Sequence, residues 1–438
     1  MKKTNRFDRL RTASLRMCLA DLAIILGLFI ILFIPPIFSF RGIHLNAAHV
    51  VGVSSIVYLL WRLRVLKFLK VRENIWLVGG FLVLLGYGIV LYLVHRTGLS
   101  SMSSQLYYLV DVIPFAFVVA DYGNRKGLEV LDYIKLAIFV GMIHAVIALA
   151  MMVIPGMQAG FINMLLDYGY SQTVAGLTYR LYGFSGQLTF AAPVMQSFLA
   201  VISFYLCFTQ SKKYYIPCLV LLFTAIINAR TTIIAFGIGA IIVLCCSKQW
   251  GWKHTVVTLK PLLLCLPVAL IGIAVLWLVT PYTVQWIFAG FKEIFSFLGG
   301  SDKKSTFTAL LSPEHLSLPP VKALLFGVGS QIMGGYENVA AGLGPVHSDV
   351  GYINDIWYGG IVYAIFQYAF FYYIFSRLMK KENAAVLRFF GLFLMIIIPV
   401  LNMKGIACSM NAFTNLVLIL VIAVINMPGA KRKVNENG

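Results

Sequence analysis

The chain has 438 residues, of which 60% are apolar and only 12% charged, and it carries a formal charge of +19. A soluble domain holds roughly 45–50% apolar and about 25% charged residues, so a string of soluble domains is excluded and one membrane domain with loops is expected over 1–438. Seven cysteines without a CxxC pair exclude a disulfide scaffold; most of them (Cys18, Cys207, Cys218, Cys245, Cys246 and Cys265) sit in or beside apolar runs.

A bilayer span needs about 20 mostly apolar residues. Runs of that kind predict an all-α polytopic protein with about twelve transmembrane helices, over roughly 17–39, 45–61, 74–95, 104–121, 134–155, 188–209, 214–228, 231–246, 261–282, 349–376, 389–401 and 409–427. The first run follows a basic start (Lys2, Lys3, Arg6, Arg9, Arg11 and Arg16) and is read as a retained helix, being long and without a small-residue cleavage site. The seventh and eighth are short and are broken by Asn228-Ala229-Arg230, so a hairpin that spans incompletely is an alternative there.

Lys and Arg accumulate in cytoplasmic loops. With both termini inside, 26 of the 35 cations fall in the N-terminus, 62–72, 125–135, 212–213, 248–260, 377–388 and 431–433. The outside segments hold Arg41, Arg96, Arg180, Arg230, Lys292, Lys303, Lys304, Lys322 and Lys404. The net positive charge is thus read as topology and contact with anionic membrane lipids at the inner face. Nucleic-acid binding is not expected, because no soluble domain presents a basic face.

Two outside segments are long. The loop at 156–187 contains Tyr168, Tyr170 and then Tyr179-Arg180-Leu181-Tyr182-Gly183-Phe184-Ser185-Gly186. The loop at 283–348 begins with amphipathic Trp286-Ile287-Phe288, passes through polar Ser301-Asp302-Lys303-Lys304-Ser305 and ends rich in glycine. Loops of this length are usually functional or disordered, and the aromatic content predicts short helices lying on the membrane domain. No GxxxxGK[ST] phosphate loop is present, which argues against an ATP-driven mechanism within the chain.

Charged residues near a membrane are costly and mark sites. Arg180 and Arg230 lie outside, against the general trend, and an arginine can hold phosphate oxygens through paired, charge-assisted hydrogen bonds. The competing reading is snorkelling to headgroups or pairing with a loop carboxylate. A second cluster, His347-Ser348-Asp349 followed by Asp355, opens the tenth span. If that helix starts at His347, then His347, Gly351 and Asp355 share a strip, and the imidazole or a carboxylate accepts a proton from a sugar hydroxyl. Helix capping by Ser348 or Asp349 is the structural alternative. Asp21, Asp111 and His144 are read as helix–helix packing, and scattered His44, His49 and His95 do not predict a metal site. His315, beside Glu314, is a weaker additional ligand, and Tyr179 and Tyr182 are placed to stack on sugar rings.

Three stretches together resemble the O-antigen polymerase and ligase superfamily (Wzy and WaaL proteins) of bacterial surface-polysaccharide assembly. They are Asn228-Ala229-Arg230-Thr231-Thr232 before an apolar helix, Leu324-Leu325-Phe326-Gly327-Val328-Gly329, and His347-Ser348 leading to Trp357-Tyr358-Gly359-Gly360-Ile361. Their order, the large outer loop and the span count resemble that family from about 170 to 376. The resemblance implies a metal-independent glycosyltransferase of the broad GT-C-like class, without a cofactor, in the bacterial cytoplasmic (inner) membrane. Its substrates would be undecaprenyl-pyrophosphate-linked oligosaccharides, and a chain-length regulator and a flippase are the implied partners. Carried over, Arg230 with Arg180 would bind the pyrophosphate, and His347 would be the base or acceptor-orienting residue, with Asp349 and Asp355 beside it. Asn228 departs from the small hydroxyl residue common at the start of the arginine motif, and the Gly359-Gly360 spacing departs after His347.

The expected function is therefore polymerisation of O-antigen, capsule or exopolysaccharide. Transfer of the same donor to lipid A-core is the nearest rival. A flippase or transporter of lipid-linked sugars is a rival of another class and predicts repeats, broken helices and a polar central cavity. A structural membrane subunit is a third.

Overall fold

A computed structural model describes residues 19–33, 38–40, 43–96, 99–154, 156–166, 180–181, 183–185, 190–246, 256, 259–260, 273–274, 277–278, 281–298, 312, 315–333, 336–338, 343–380, 383–408 and 411–427. The basic N-terminus, Cys18, Arg41, Tyr168, Tyr170, Tyr179, Tyr182, Cys265, Glu314, residues 301–305 and 431–433, and most of the predicted span 261–282 lie outside the described residues.

The elements in chain order are α1 (Leu19–Phe33), a hairpin of β1 (Phe38–Phe40) and β2 (Ile43–Leu45), α2 (Ala47–Trp61), α3 (Val65–Leu69), α4 (Arg72–His95) and α5 (Leu99–Tyr107). A π turn, Tyr108–Val112, joins α5 to α6 (Ile113–Lys126), followed by α7 (Val130–Val153), α8 (Met157–Leu166), α9 (Ala191–Thr209), α10 (Tyr215–Asn228) and α11 (Thr231–Cys246). Then come α12 (Pro281–Leu298), a hairpin of β3 (Tyr336–Asn338) and β4 (Leu343–Val346), α13 (Gly351–Leu378), α14 (Ala385–Leu401) and α15 (Ala412–Ile425). Five segments are long and apolar enough to cross a membrane by length and composition: Arg72–His95, Met102–Lys126, Val130–Val153, Ala191–Thr209 and Gly351–Leu378.

Burial sorts these helices. A helix that is apolar all round belongs in a core or in lipid, and both cases occur. Helix α9 is buried along its whole apolar window, and α15 is buried from Ala412 to Ala423. The two pack on each other and are ringed by α1, α6, α7, α10, α11, α13 and α14. Helix α4 instead buries Leu77, Phe81, Leu84, Gly88 and Leu91 at helical spacing. Its other face exposes Trp76, Val83, Val90 and Val94. An outward face as apolar as the inward one suits hydrocarbon, not water.

Polar contacts gather at one end of the bundle. Asp121 accepts from Tyr58 Oη at 2.9 Å and pairs with Arg64 and Arg125, each at 3.2 Å. Asp21 pairs with Lys126 at 3.2 Å and accepts from Tyr122. Lys380 reaches Glu73 at 3.6 Å, and Asn74 and Asn426 join their amides at 3.0 Å. The segments so joined are those that the cation pattern assigns to one side.

Three expectations are corrected. The helix predicted over 17–39 does not run to its predicted end: the described helix is Leu19–Phe33, and Phe38–Phe40 is a strand. The two short antiparallel hairpins, with Phe38 opposite Leu45 and Tyr336 opposite Val346, were not anticipated in an all-α chain. Helix α13 starts at Gly351 after Val350, so His347 precedes it and shares no helical strip with Asp355.

Candidate functional site

Helix α13 is not one straight rod. Gly360 has φ +71° and ψ −177°, a conformation essentially confined to glycine, and the helix breaks there. A break frees backbone groups that must be satisfied in an apolar interior. The Leu324–Gly329 segment satisfies them: Val328 and Gly329 N–H donate to the carbonyls of Trp357 and Tyr358 at 2.8 and 2.9 Å, while Ile361 and Val362 N–H donate to those of Leu324 and Leu325 at 3.0 and 3.3 Å. Tyr87 Oη of α4 donates to the Gly359 carbonyl at 2.7 Å. The approach is too close for side chains. A Cβ on Gly327 (φ +75°) would lie 2.3 Å from the Tyr358 carbonyl oxygen, and one on Gly360 would lie 2.2 Å from that of Leu325. Two of the sequence motifs therefore form a single backbone clasp.

The break folds the first half of α13 back towards the second. Asp355 consequently accepts from Tyr368, thirteen residues on. Asn402 donates to Tyr368 Oη at 2.7 Å, and its own Oδ1 accepts from Ala407 N–H at 2.8 Å. Asp355 is buried inside this network.

His347 and Asp349 lie on the approach to α13, both about half exposed, with His347 Nε2 3.5 Å from Asp349 Oδ1. The His315 ring stands edge-on to His347 with centroids 5.5 Å apart. His315 Nδ1 accepts from Asp349 N–H at 3.4 Å, and Ser348 Oγ donates to the His315 carbonyl at 2.6 Å. Ser348 Oγ also accepts from Val350 N–H at 3.1 Å, a turn contact just ahead of the helix, whose N-cap Val350 has no side-chain cap. The structure thus brings His315, His347 and Asp349 together and leaves Asp355 in the interior.

Arg180 and Arg230 come from different segments. Helices α10 and α11 have 14 and 16 residues, about 21 and 24 Å at 1.5 Å per residue, and Arg230 occupies the turn between them. Asn228 Nδ2 donates to the Leu181 carbonyl at 2.7 Å and to that of Thr224 at 2.9 Å. Asn228 therefore ties the Arg180 segment to the Arg230 turn. Gln158 of α8 donates to the Arg180 carbonyl. Leu181 packs with Phe161, Ile162, Ile227 and Val284. Gly183 (φ +61°) sits against buried His144, where a Cβ would meet Nε2 at 2.4 Å. His144 also stacks on Phe33 with centroids 4.0 Å apart, and Gln196 Nε2 lies 2.9 Å from its Nδ1.

Gly405 joins the two regions. A Cβ there would meet the Phe190 ring, just beyond the arginine segment, at 2.9 Å, and the Gly405 carbonyl in turn crowds Gly351, the first residue of α13. Both regions lie at the end of the bundle opposite the Asp21, Glu73 and Asp121 ion pairs.

No known protein family, curated protein or solved structure matches this chain. Among the described residues, no group of three or more His, Cys, Asp and Glu is arranged to hold a metal ion. Sequence reasoning missed two features. One is the amide of Asn228, whose tie to Leu181 spans 47 residues. The other is the pairing of His49 with Asp111, 62 residues apart, which single-sequence patterns do not link.

Proposed function

We propose that this chain is a GT-C-like membrane glycosyltransferase of about twelve spans that polymerises a bacterial surface polysaccharide. The donor would be a growing chain on undecaprenyl pyrophosphate, and the acceptor a hydroxyl of an incoming lipid-linked repeat unit. The observation that carries the reading is the Asn228–Leu181 hydrogen bond, which draws two arginine-bearing segments together at one end of an apolar helical bundle.

The chemistry follows from position. The hydrocarbon core is about 30 Å thick, and helices of about 21 and 24 Å leave their connecting turn short of the far surface. Arg230 would then sit at headgroup depth in the outer half of the cytoplasmic membrane, with both termini of the chain inside. There a lipid-linked pyrophosphate presents its charge. As the bond from the anomeric carbon to the pyrophosphate oxygen breaks, negative charge grows on the leaving group, and guanidinium groups already in place stabilise it most at that stage. Half-exposed His347 and Asp349 supply polar groups for the sugar at the same end.

Complementation of a deletion strain tests the reading. Wild type restores a multi-repeat ladder on a gel of surface polysaccharide, whereas Arg230→Ala at normal membrane abundance leaves a single repeat unit. A lipid-linked polymer that never reaches the core would identify a ligase instead. The break at Gly360 also favours a second reading, since broken helices build the sites of lipid and solute transporters. Repeat units trapped on the inner leaflet in the deletion strain would decide for that one.

A further inference from the structure

Outside the arginine and His347 regions, one pair of side chains has the make-up of a proton-transfer site. His49, in the first turn of α2, is half exposed, and Asp111 is fully buried; His49 Nδ1 lies 2.5 Å from Asp111 Oδ2. Asp111 belongs to the π turn Tyr108–Val112, a type of insertion that recurs at functional sites. The other carboxyl oxygen, Oδ1, is buried with no hydrogen-bond partner among the described residues. Gly52 makes room for it, since a Cβ there would stand 2.5 Å from Oδ1 and 2.5 Å from the Val110 carbonyl oxygen.

Placing a carboxylate in an apolar interior with half of its acceptors unmet costs stability and calls for an explanation. Packing alone supplies none, because a leucine or asparagine would fill the volume at lower cost. A buried carboxylate on Nδ1 fixes the imidazole tautomer with its proton on that nitrogen and turns the basic Nε2 outward. His347 differs in this respect: its partner Asp349 is itself half exposed, and exposed ion pairs hold a ring only weakly.

We propose that His49 and Asp111 are the acid–base pair of the outer site, Asp111 orienting the ring and His49 Nε2 taking the proton of the attacking acceptor hydroxyl. The inference rests on the transferase reading. In the step, the hydroxyl oxygen bonds to the anomeric carbon of the donor and its proton passes to Nε2. The carbon–oxygen bond to the pyrophosphate breaks, and that electron pair leaves with undecaprenyl pyrophosphate. The pair lies at the same end as the arginines. The β1–β2 hairpin that leads into α2 packs on α8, whose Gln158 binds the Arg180 carbonyl. Among the described residues, the phenol of Tyr107 on α5 also faces Asp111. The charged groups on the packed helices α1 and α6, Asp21, Asp121, Arg125 and Lys126, sit at the opposite end.

The test uses the full-length protein in liposomes, with lipid-linked repeat unit extracted from the deletion strain as donor and acceptor. His49→Gln is expected to lower kcat by at least about 100-fold at little changed KM, the scale of general-base catalysis. It should also remove the fall in rate at low pH, and added imidazole should restore part of the rate. Asp111→Asn should move the low-pH limb, and Asp111→Glu should recover it, which a merely structural role would not do. Wild-type kcat and pH profile in His49→Gln overturns the pair, and if Arg230→Ala is inactive in the same preparation the transferase reading stands without it. If wild type makes no polymer, the transferase reading fails, and the ring is then followed directly by NMR of labelled histidine. There, a hydrogen-bonded His49 Nδ1 proton signal that is lost on Asp111→Asn retains the pair as an oriented proton site, and an unchanged signal overturns it.

Discussion

Replacing Gly360 by alanine strikes the clasp at its tightest point. A non-glycine residue held in this region of backbone space costs roughly 1–3 kcal/mol. The added Cβ would also lie 2.2 Å from the Leu325 carbonyl oxygen and 2.4 Å from Phe326 N, both backbone atoms that cannot swing aside. The Leu324–Gly329 segment must therefore move off α13, breaking the four backbone hydrogen bonds made by Val328, Gly329, Ile361 and Val362. At about 0.5–1.5 kcal/mol each, these contribute roughly 2–6 kcal/mol, for a loss of about 3–9 kcal/mol in all. Entropy scaling over a chain this long gives ~1 °C per kcal/mol, so thermal unfolding in detergent should come about 3–9 °C earlier. Proteolysis within 316–333 should quicken as well. Gly86→Ala is the control: its Cβ meets nothing within 4 Å and it lies within α4, so it should be neutral or slightly stabilising. A Gly360→Ala protein with wild-type melting temperature and proteolysis would refute the clasp.

Other substitutions separate the roles at the site. Arg180→Ala and Arg230→Ala should each reduce polymer formation about 100-fold, the loss seen when a charge-stabilising group is removed, with Lys at either position recovering part; single-turnover assays of lipid-linked substrate read this. Asn228→Ala leaves the Leu181 carbonyl without its donor in a buried setting, which should cost about 1–3 kcal/mol. It should also raise KM, measured by steady-state assay of the same substrate, because the arginine segments lose their tie. Asp355→Asn keeps a partner for Tyr368, so polymer length on gels should be close to wild type. Asp355→Leu should lower membrane abundance, because Tyr368 then loses its acceptor in a buried network.

The helices were legible where apolar runs are long and uninterrupted. Eleven of the twelve predicted segments coincide with α1, α2, α4, α5–α6, α7, α9, α10, α11, α13, α14 and α15, because length and hydropathy are local properties. The grouping of charged segments at one end was equally legible, since Lys and Arg positions report on each loop separately. The break in α13 was not. Gly359-Gly360 reads as a tolerable pair inside a helix, and only Leu324–Gly329, more than thirty residues upstream, makes the break affordable by meeting its free N–H and carbonyl groups. The Asp355 assignment suffered from the same gap. A straight helix starting at His347 would line the two residues up, whereas a start at Gly351 and a fold at Gly360 turn Asp355 inward to Tyr368. Arg180 and Arg230 stood out as outside cations, but their connection through Asn228 depends on a tertiary contact.

If one clasp is what Gly327 and Gly360 both protect, their substitutions are coupled. A Cβ on Gly327 would meet the Tyr358 carbonyl, carbon and the Gly359 nitrogen, all within 2.7 Å, while one on Gly360 would meet Leu325 and Phe326 from the opposite strand of the same contact. Either change alone suffices to lift the segment away. Once lifted, the second methyl meets no obstacle and adds only its own backbone strain, about 1–3 kcal/mol. Residues that share partners depart from additivity by 0.5–3 kcal/mol or so, and here the shared part is the four hydrogen bonds, about 2–6 kcal/mol. The double variant Gly327→Ala with Gly360→Ala should then melt only slightly below the worse single variant. Two independent perturbations would instead sum their melting shifts. A full sum would mean that the Leu324–Gly329 segment and the α13 break are stabilised separately, and the joint role drawn for the two motifs would have to be given up.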